Sequence, residues 1–279
     1  MANPARGALI APVIAPLIAV LATGPLTLVA QVADTTDGPP PIFTSNDVIT
    51  AGVFAFGLAA MYPIDKAVAD EMQEPRNQEQ QMLRRAALEF NRLAYPGSLI
   101  IGASMYTIGR FADNERMADL GLHGTEAILV GLGVAGVMKV IIGRARPYVD
   151  IDDPNNFGFL RGWMQPQYRS FPSGHSVAGF AAAAAVTSEA KRWWPGSQRY
   201  VAPIMFGGAA LIGIARMYDN KHWASDVVLG AAIGSFAGWK IVRYHHTRPD
   251  NVVDDLLLGI SITPSADGGR NVSFWLLPR

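Results

Sequence analysis

The residues best suited to chemistry begin with a short segment in which proline and glycine flank a serine and a histidine. Residues 171–175 read Phe-Pro-Ser-Gly-His, and an apolar run built largely from alanine follows at residues 176–187. Proline fits a helix entrance, serine is a favoured N-cap, and glycine lets the backbone approach a bound group. We therefore expect Ser173 to cap a helix whose first turn, at Gly174 and His175, forms an anion site.

Two further stretches carry charged groups that suit the same anion. Lys139 and Arg146 are seven residues apart, a spacing that on a helix places both cations on one face. Arg216 precedes His222 and Asp226, which are four apart, so that on a helix the carboxylate reaches one imidazole nitrogen and fixes the tautomer. Together these groups could bind a phosphate-sized oxyanion and transfer it to a nucleophile.

The order of these residues resembles the signature of the type 2 phosphatidic acid phosphatase and vanadium haloperoxidase superfamily. The pattern is K-x6-R-P, then P-S-G-H, then R-x5-H-x3-D, and the resemblance covers roughly residues 120–245. The family usually has serine before the arginine of the third motif, where this chain has Ala215. The matching positions are Lys139, Arg146, Pro147, Pro172, Ser173, Gly174, His175, Arg216, His222 and Asp226.

The resemblance implies a phosphoric ester hydrolase that works through a phosphohistidine intermediate. His222 is then the nucleophile, Asp226 orients it, and His175 protonates the leaving alkoxide and later activates water. The resemblance implies no metal and no cofactor, apart from vanadate if the chain is a haloperoxidase. The phosphate-binding groups that it implies are Lys139, Arg146, Arg216, the Ser173 hydroxyl and the Gly174 N–H.

Several functions are compatible with these residues. The favoured one is a phosphatase for a phosphomonoester or diphosphate, above all a lipid phosphate of the cell envelope. The alternatives are a vanadium-dependent haloperoxidase with His222 bonded to the metal, an acid phosphatase for soluble phosphomonoesters, and a binding protein with an inactive site. The intact motif residues argue against the inactive protein, but the sequence does not single out one phosphate ester.

Composition narrows the class of protein. The chain has 279 residues, of which 50% are hydrophobic and 16% charged, with a formal net charge of zero and no cysteine. The lack of a basic excess or tail argues against nucleic acid as a partner. The lack of cysteine excludes disulfides, thiolate metal sites and a cysteine nucleophile. The expected partners are a phosphorylated lipid or small phosphoester and a lipid membrane, and the sequence does not fix the oligomeric state.

The hydrophobic pattern predicts an all-α fold of the family's type, a bundle of about six core helices with a small C-terminal β-hairpin. A charged turn is expected at residues 110–119, a solvated surface hairpin of two helices at residues 65–92, and the two strands at residues 257–263 and 271–277. The six apolar runs have no evident polar face. They are residues 48–62, 93–108, 128–142, 176–187, 201–214 and 227–239.

Composition also divides the chain into four parts. Residues 1–33 are almost free of charge and predict a signal peptide or N-terminal anchor, residues 34–47 a linker, residues 48–250 the helical phosphatase domain, and residues 251–279 the hairpin extension. Export would place the protein in a bacterial cell envelope, where the resemblance implies a periplasm-facing site. The protein is then membrane-associated or integral, or alternatively soluble in the periplasm.

The length of the uncharged stretches and the histidines outside the motifs give two further expectations. The uncharged stretches are short for a membrane span, with only 12 residues between Glu126 and Lys139. His123, His245 and His246 are expected to be surface or terminal residues, and we predict no metal site there. Two arginines flank the motifs, Arg144 and Arg169. We expect them to add to the positive electrostatic field at the bound phosphate.

Overall fold

The fold is helical throughout its main body. The computed structural model describes residues 39–248, 251–257, 260–264 and 270–274, so the predicted signal peptide or anchor at residues 1–33 lies outside the described residues. The helices are α1 (Ser45–Met61), α2 (Asp65–Met72), α3 (Pro75–Gln78), α4 (Gln81–Arg92), α5 (Ser98–Phe111), α6 (Glu115–Ile142), α7 (Arg161–Met164), α8 (Gly174–Trp193), α9 (Gln198–Tyr218), α10 (Ala224–Thr247) and α11 (Val252–Leu257).

Two short strands follow the helices. Strands β1 (Ile260–Pro264) and β2 (Arg270–Phe274) pair antiparallel, with Ile262 opposite Val272. They lie where the sequence analysis expects a hairpin, and residues 265–269 between them are outside the described residues.

Six of the described helices have 14 residues or more, namely α1, α5, α6, α8, α9 and α10. The prediction of an all-α bundle with about six core helices is therefore confirmed. Helix α8 is its centre, because it packs against α6, α9 and α10. Residues 176–181 of α8 are all buried, and six consecutive residues exceed one helical turn, so every face of the helix is covered.

Small residues allow α8 and α10 to approach closely. Gly234 on α10 lies over the backbone of α8, where an added Cβ would be 2.3 Å from the carbonyl oxygen of Val177. Glycine is favoured at such contacts because it lets two helix backbones meet without an intervening side chain. The close contact also brings the two helix N-termini together, and the Ser173 N–H donates to the backbone oxygen of Asp226 at 2.9 Å.

The polar segment at residues 65–92 was expected to be a solvated hairpin, and this prediction is wrong for α2. Asp65, Val68, Ala69 and Met72 are buried. Their spacing of three, one and three residues places them on one helix face, which packs into the bundle. The polar composition hid this face because one of its members, Asp65, is a charged residue.

The charged turn expected at residues 110–119 is shorter than predicted. Helix α6 already begins at Glu115, because the Asn114 side chain accepts a hydrogen bond from the Met117 N–H at 3.1 Å and caps the helix. The helix then runs for 28 residues, nearly twice the length of the apolar run at residues 128–142.

Four segments are long and apolar enough to cross a membrane, namely Ser45–Met72, Glu115–Ile142, Gln198–Tyr218 and Ala224–Thr247. Large apolar side chains also face outward along these helices, such as Phe56 on α1, Val137 on α6 and Ile204 on α9. Outward-facing apolar surface on long helices is the pattern of a membrane protein. The charge of Glu126 does not oppose this assignment, because its carboxylate is paired inside the bundle with His245 at 2.7 Å.

We predict that Gly234→Ala destabilises the protein. The new methyl group would have to push α10 away from α8, and overpacking of this kind costs about 1–3 kcal/mol. Thermal unfolding of the purified protein in detergent measures the change. Gly133→Ala on α6 is the matched control, because no atom lies within 4 Å of its added Cβ, and we expect it to be neutral or slightly stabilising. Equal stability of the two variants would show that the helices do not pack at Gly234 as described.

Candidate active site

The site begins at the N-terminus of α8. Ser173 is the N-cap, as predicted, and its hydroxyl oxygen accepts from the Ser176 N–H at 3.4 Å and from the Ser176 hydroxyl at 2.9 Å. Ser173 is buried, whereas Gly174 and His175 are partly exposed. A Cβ on Gly174 would lie 3.7 Å from Cε of Lys139, so the helix N-terminus and the first motif are in contact.

The prediction that Lys139 and Arg146 lie on one helix is wrong. Helix α6 ends at Ile142, and Gly143 follows in the left-handed region with φ of 56°, so Arg146 lies in the next loop. The two cations nevertheless meet at one backbone oxygen. Lys139 Nζ donates to the carbonyl oxygen of Arg169 at 2.9 Å, and a guanidinium nitrogen of Arg146 approaches the same oxygen at 3.5 Å.

Loop carbonyls, and not carboxylates, hold the Lys139 ammonium. It also donates to the carbonyl oxygen of Pro172 and, at 3.4 Å, to that of Ser170. Arg169 was expected to add to the field at the phosphate, but its guanidinium donates to the carbonyl oxygens of Gly162 and Trp163 at 2.6 and 2.8 Å. Arg169 therefore braces the loop that fixes Lys139.

His222 and Asp226 lie close together, but they do not lie on one helix as the sequence analysis expects. Helix α10 begins at Ala224, so His222 precedes it and Asp226 lies in its first turn. His222 Nδ1 lies 3.5 Å from Oδ2 of Asp226, and no hydrogen bond joins the two. The same Oδ2 accepts from the Trp223 N–H at 2.9 Å and from the Ser170 hydroxyl.

A buried ion network behind the site was missed by the sequence analysis. Arg144 is fully buried and donates to Oδ1 of Asp226 and to Oδ2 of Asp65, both at 2.7 Å. Ser225 completes the network, because its N–H donates to Oδ1 of Asp65 at 2.8 Å. The expectation that Arg144 adds to the field at the phosphate is wrong, because its guanidinium forms ion pairs with the two carboxylates. The spacing of Asp65 with the buried residues of α2 was the signal that could have found it.

The electrostatics of the site favour neutral histidines beside three cations. Burial lowers the pKa of His222 well below its usual range. Burial, followed by the charges of Arg216, Lys139 and Arg146, lowers the pKa of His175 to about 3. The three cations are thus close enough to His175 to act on it. Among the described residues, the buried Nε atoms of Arg146 and Arg216 have no hydrogen-bond partner, which leaves donors for a bound anion.

A groove lies beside Lys139. It has a volume of about 400 Å³ and is lined by Gly136, Lys139, Val140, Trp163 and Arg169. Trp163 is 67% exposed, so the wall of the groove includes a large apolar side chain open to the surroundings. The first motif therefore borders a groove with an exposed apolar wall.

Comparisons with known proteins agree with this arrangement. Residues 122–250 match the model of the PAP2 superfamily. The chain is 38% identical over 71 residues to a lipid A 1-phosphatase of Porphyromonas gingivalis, over 25% of this chain and 15% of that protein. It is 25% identical over 136 residues to an undecaprenyl-diphosphatase of Sulfolobus acidocaldarius, over 48% of this chain and 63% of that protein. The chain thus spans less than two thirds of the length of these relatives.

One solved structure has a similar fold. It is the crystal structure of a transmembrane PAP2-type phosphatidylglycerolphosphate phosphatase from Bacillus subtilis, with a TM-score of 0.51 and 20% identity over 73% of this chain and 97% of that one. Residues 122–250, which match the family model, contain all three motifs. Residues 122–250 of this chain are thus similar to the PAP2 superfamily in sequence.

Proposed function

We propose that the protein is a metal-independent phosphatase that hydrolyses a lipid phosphate, either a phosphomonoester or a diphosphate. The observation that carries the proposal is the convergence of three cations and two neutral histidines at one end of a membrane bundle, beside an apolar groove. The named relatives act on lipid A phosphate and undecaprenyl diphosphate, which supports the same substrate class here.

The first chemical step in this proposal is attack by His222. Its Nδ1 faces Asp226, which leaves Nε2 to bond to phosphorus while the bond to the leaving oxygen breaks. The low pKa of His222 keeps its lone pair free of a proton at neutral pH. Asp226 then stabilises the positive charge that forms on the phosphorylated imidazole.

His175 acts as general acid in the first step and as general base in the second. Its pKa is low without a bound anion because the imidazole is buried and because the neighbouring cations repel a proton. A phosphate dianion offsets those charges, so substrate binding raises the pKa and lets His175 carry the proton that the leaving alkoxide needs. The same imidazole then takes a proton from water, whose attack breaks the bond from nitrogen to phosphorus and releases inorganic phosphate.

The cations bind the equatorial oxygens of the phosphoryl group. Arg146 and Arg216 present unpartnered Nε donors, and Lys139 and the N-terminus of α8 lie against each other. Charge on those oxygens is spread in a loose transition state, so fixed positive groups lower its energy. We extend the proposal to export of the protein, with this end of the bundle facing the periplasm.

The substrate class is tested with two esters that differ only in their tails. We expect kcat/KM to be about 100-fold higher for phosphatidate than for glycerol 3-phosphate, because burial of a few methylene groups at about 0.8 kcal/mol each supplies that difference. Phosphate release from purified protein in detergent is the measurement, and vanadate should inhibit it. Trp163→Ala, on the exposed wall of the groove, should reduce the preference and leave turnover of glycerol 3-phosphate unchanged.

Two other results would contradict this assignment. Equal rates on both esters would indicate an acid phosphatase for soluble substrates. Halide oxidation by peroxide in the presence of vanadate, without phosphate release, would indicate a haloperoxidase.

The phosphohistidine is tested by trapping labelled phosphate on the protein. We expect His222→Ala to lower turnover by about 10⁴-fold or more and to abolish labelling, because the nucleophile is lost. His175→Ala should still be labelled by p-nitrophenyl phosphate, whose leaving group hardly needs a proton, and should keep the label longer because water is no longer activated. Label that persists in His222→Ala would refute the role of that residue.

The buried network is tested at Asp65, a positioning residue that acts through Arg144. Asp65→Asn removes one of the two charges that hold Arg144, so Arg144 and Asp226 are fixed less firmly. Members of one such network couple by about 0.5–3 kcal/mol, so we expect kcat to fall roughly tenfold with little change in KM. Asp70→Asn is the matched control on the same helix, since Asp70 is exposed and pairs only with Lys66 among the described residues. A change in KM alone would contradict the positioning role.

A further inference from the structure

The second cluster of histidines and carboxylates lies at the end of the bundle that is opposite to the candidate active site. Glu189 is fourteen residues beyond His175 on α8, which is about 21 Å along the helix axis. His246 lies near the other end of α10 from Asp226. The proposed phosphatase chemistry uses none of these residues.

The sequence analysis expected the three histidines of this cluster to be surface or terminal residues, and this prediction is wrong for His123 and His245. His123 and His245 are only 1% and 3% exposed, and Glu189 is 1% exposed. Burial of so many ionisable groups is costly unless each is paired or bound to a metal. The histidines come from α6 and α10, so only the folded bundle brings them together.

Two imidazoles converge on one carboxylate oxygen. His123 Nδ1 lies 2.7 Å from Oε1 of Glu189, and His246 Nε2 lies 2.9 Å from the same oxygen. The two rings are nearly perpendicular, with an interplanar angle of 85° and centroids 5.4 Å apart. Two nitrogens and one carboxylate oxygen within 4.8 Å of one another are a suitable donor set for Zn²⁺ or a similar divalent ion.

A third histidine lies beside this donor set but is already occupied. His123 stacks on His245 with ring centroids 4.1 Å apart and an interplanar angle of 21°. Both nitrogens of His245 contact carboxylates, Asp254 at 2.6 Å and Glu126 at 2.7 Å. These contacts leave His123, Glu189 and His246 as the donor set.

An unsatisfied atom gives independent support. His123 Nε2 is buried and has no hydrogen-bond partner among the described residues. It lies 3.8 Å from Oδ1 of Asp254. When a histidine binds a metal through one nitrogen, the other nitrogen usually donates to a carboxylate, which orients the ring. A metal on Nδ1 would put the remaining proton on Nε2, facing Asp254.

The site also has an entry path. A cavity of about 850 Å³ reaches Glu189 from the surface between the start of α6 and the end of α8, with Arg116, Leu120 and Trp193 in its wall. We propose that His123, Glu189 and His246 bind a divalent transition metal ion of the Zn²⁺ type, with water in the fourth position. The ion would join α6, α8 and α10 at the end remote from the phosphate, so its role is structural.

Binding of Co²⁺ tests the proposal independently of activity. We use the full-length protein in detergent, stripped with a chelator, and follow the visible absorption of four-coordinate Co²⁺ during titration. We expect one ion per chain, displacement by Zn²⁺, and a higher unfolding temperature in the presence of either metal. Absence of stoichiometric binding to the stripped wild-type protein would overturn the proposal.

Variants locate the ion within the cluster. Because Glu189 is buried and its substitution could prevent folding, His246→Gln is the deciding variant, since the His246 side chain is 17% exposed. We expect it to bind Co²⁺ at least tenfold more weakly, whereas His222→Ala, at the opposite end of the bundle, should bind Co²⁺ as the wild type does. Unchanged binding by His246→Gln, or loss of binding only in His245→Gln, would contradict the assigned ligands.

Discussion

The buried carboxylate of Asp226 is the group on which the candidate site depends. It accepts hydrogen bonds from Arg144, Ser170 and the N-terminus of α10, and it lies beside His222. An unpaired charge in this position would be very costly, so the folded state requires the loop that supplies Arg144 and the helix that supplies Asp65. One constraint therefore connects the segment before the motifs, the first motif, the loop that follows it and the third motif.

The sequence predicted the parts of the site that depend on local chemistry. Ser173 caps α8 because a serine after proline and before a helix has few other roles, and the apolar runs gave the long helices. The placement of Arg146 and His222 could not be read in this way, because it depends on where α6 ends and α10 begins. Those boundaries are set by Gly143 and by the contacts of Trp223, whose indole N–H donates to the carbonyl oxygen of Ala145 at 2.9 Å.

Other features were hidden because they arise from pairing between distant segments. Glu126 interrupts an apolar run and made that helix seem too short to cross a membrane, yet its carboxylate is paired with His245. Asp65 looked like a surface residue for the same reason. A charged residue in a single sequence carries no sign of its partner, so burial of ion pairs is the information that only the three-dimensional structure provides.

The Lys139 ammonium is held by main-chain oxygens of the loop that carries Arg169 and Pro172, and this has a consequence for how such a protein can diversify. Main-chain oxygens are present whatever the side chain, so neighbouring loop positions such as Gln167 can be exchanged during evolution while the cation stays in place. The walls of the groove can then change while the end of the bundle that carries Lys139 keeps its geometry.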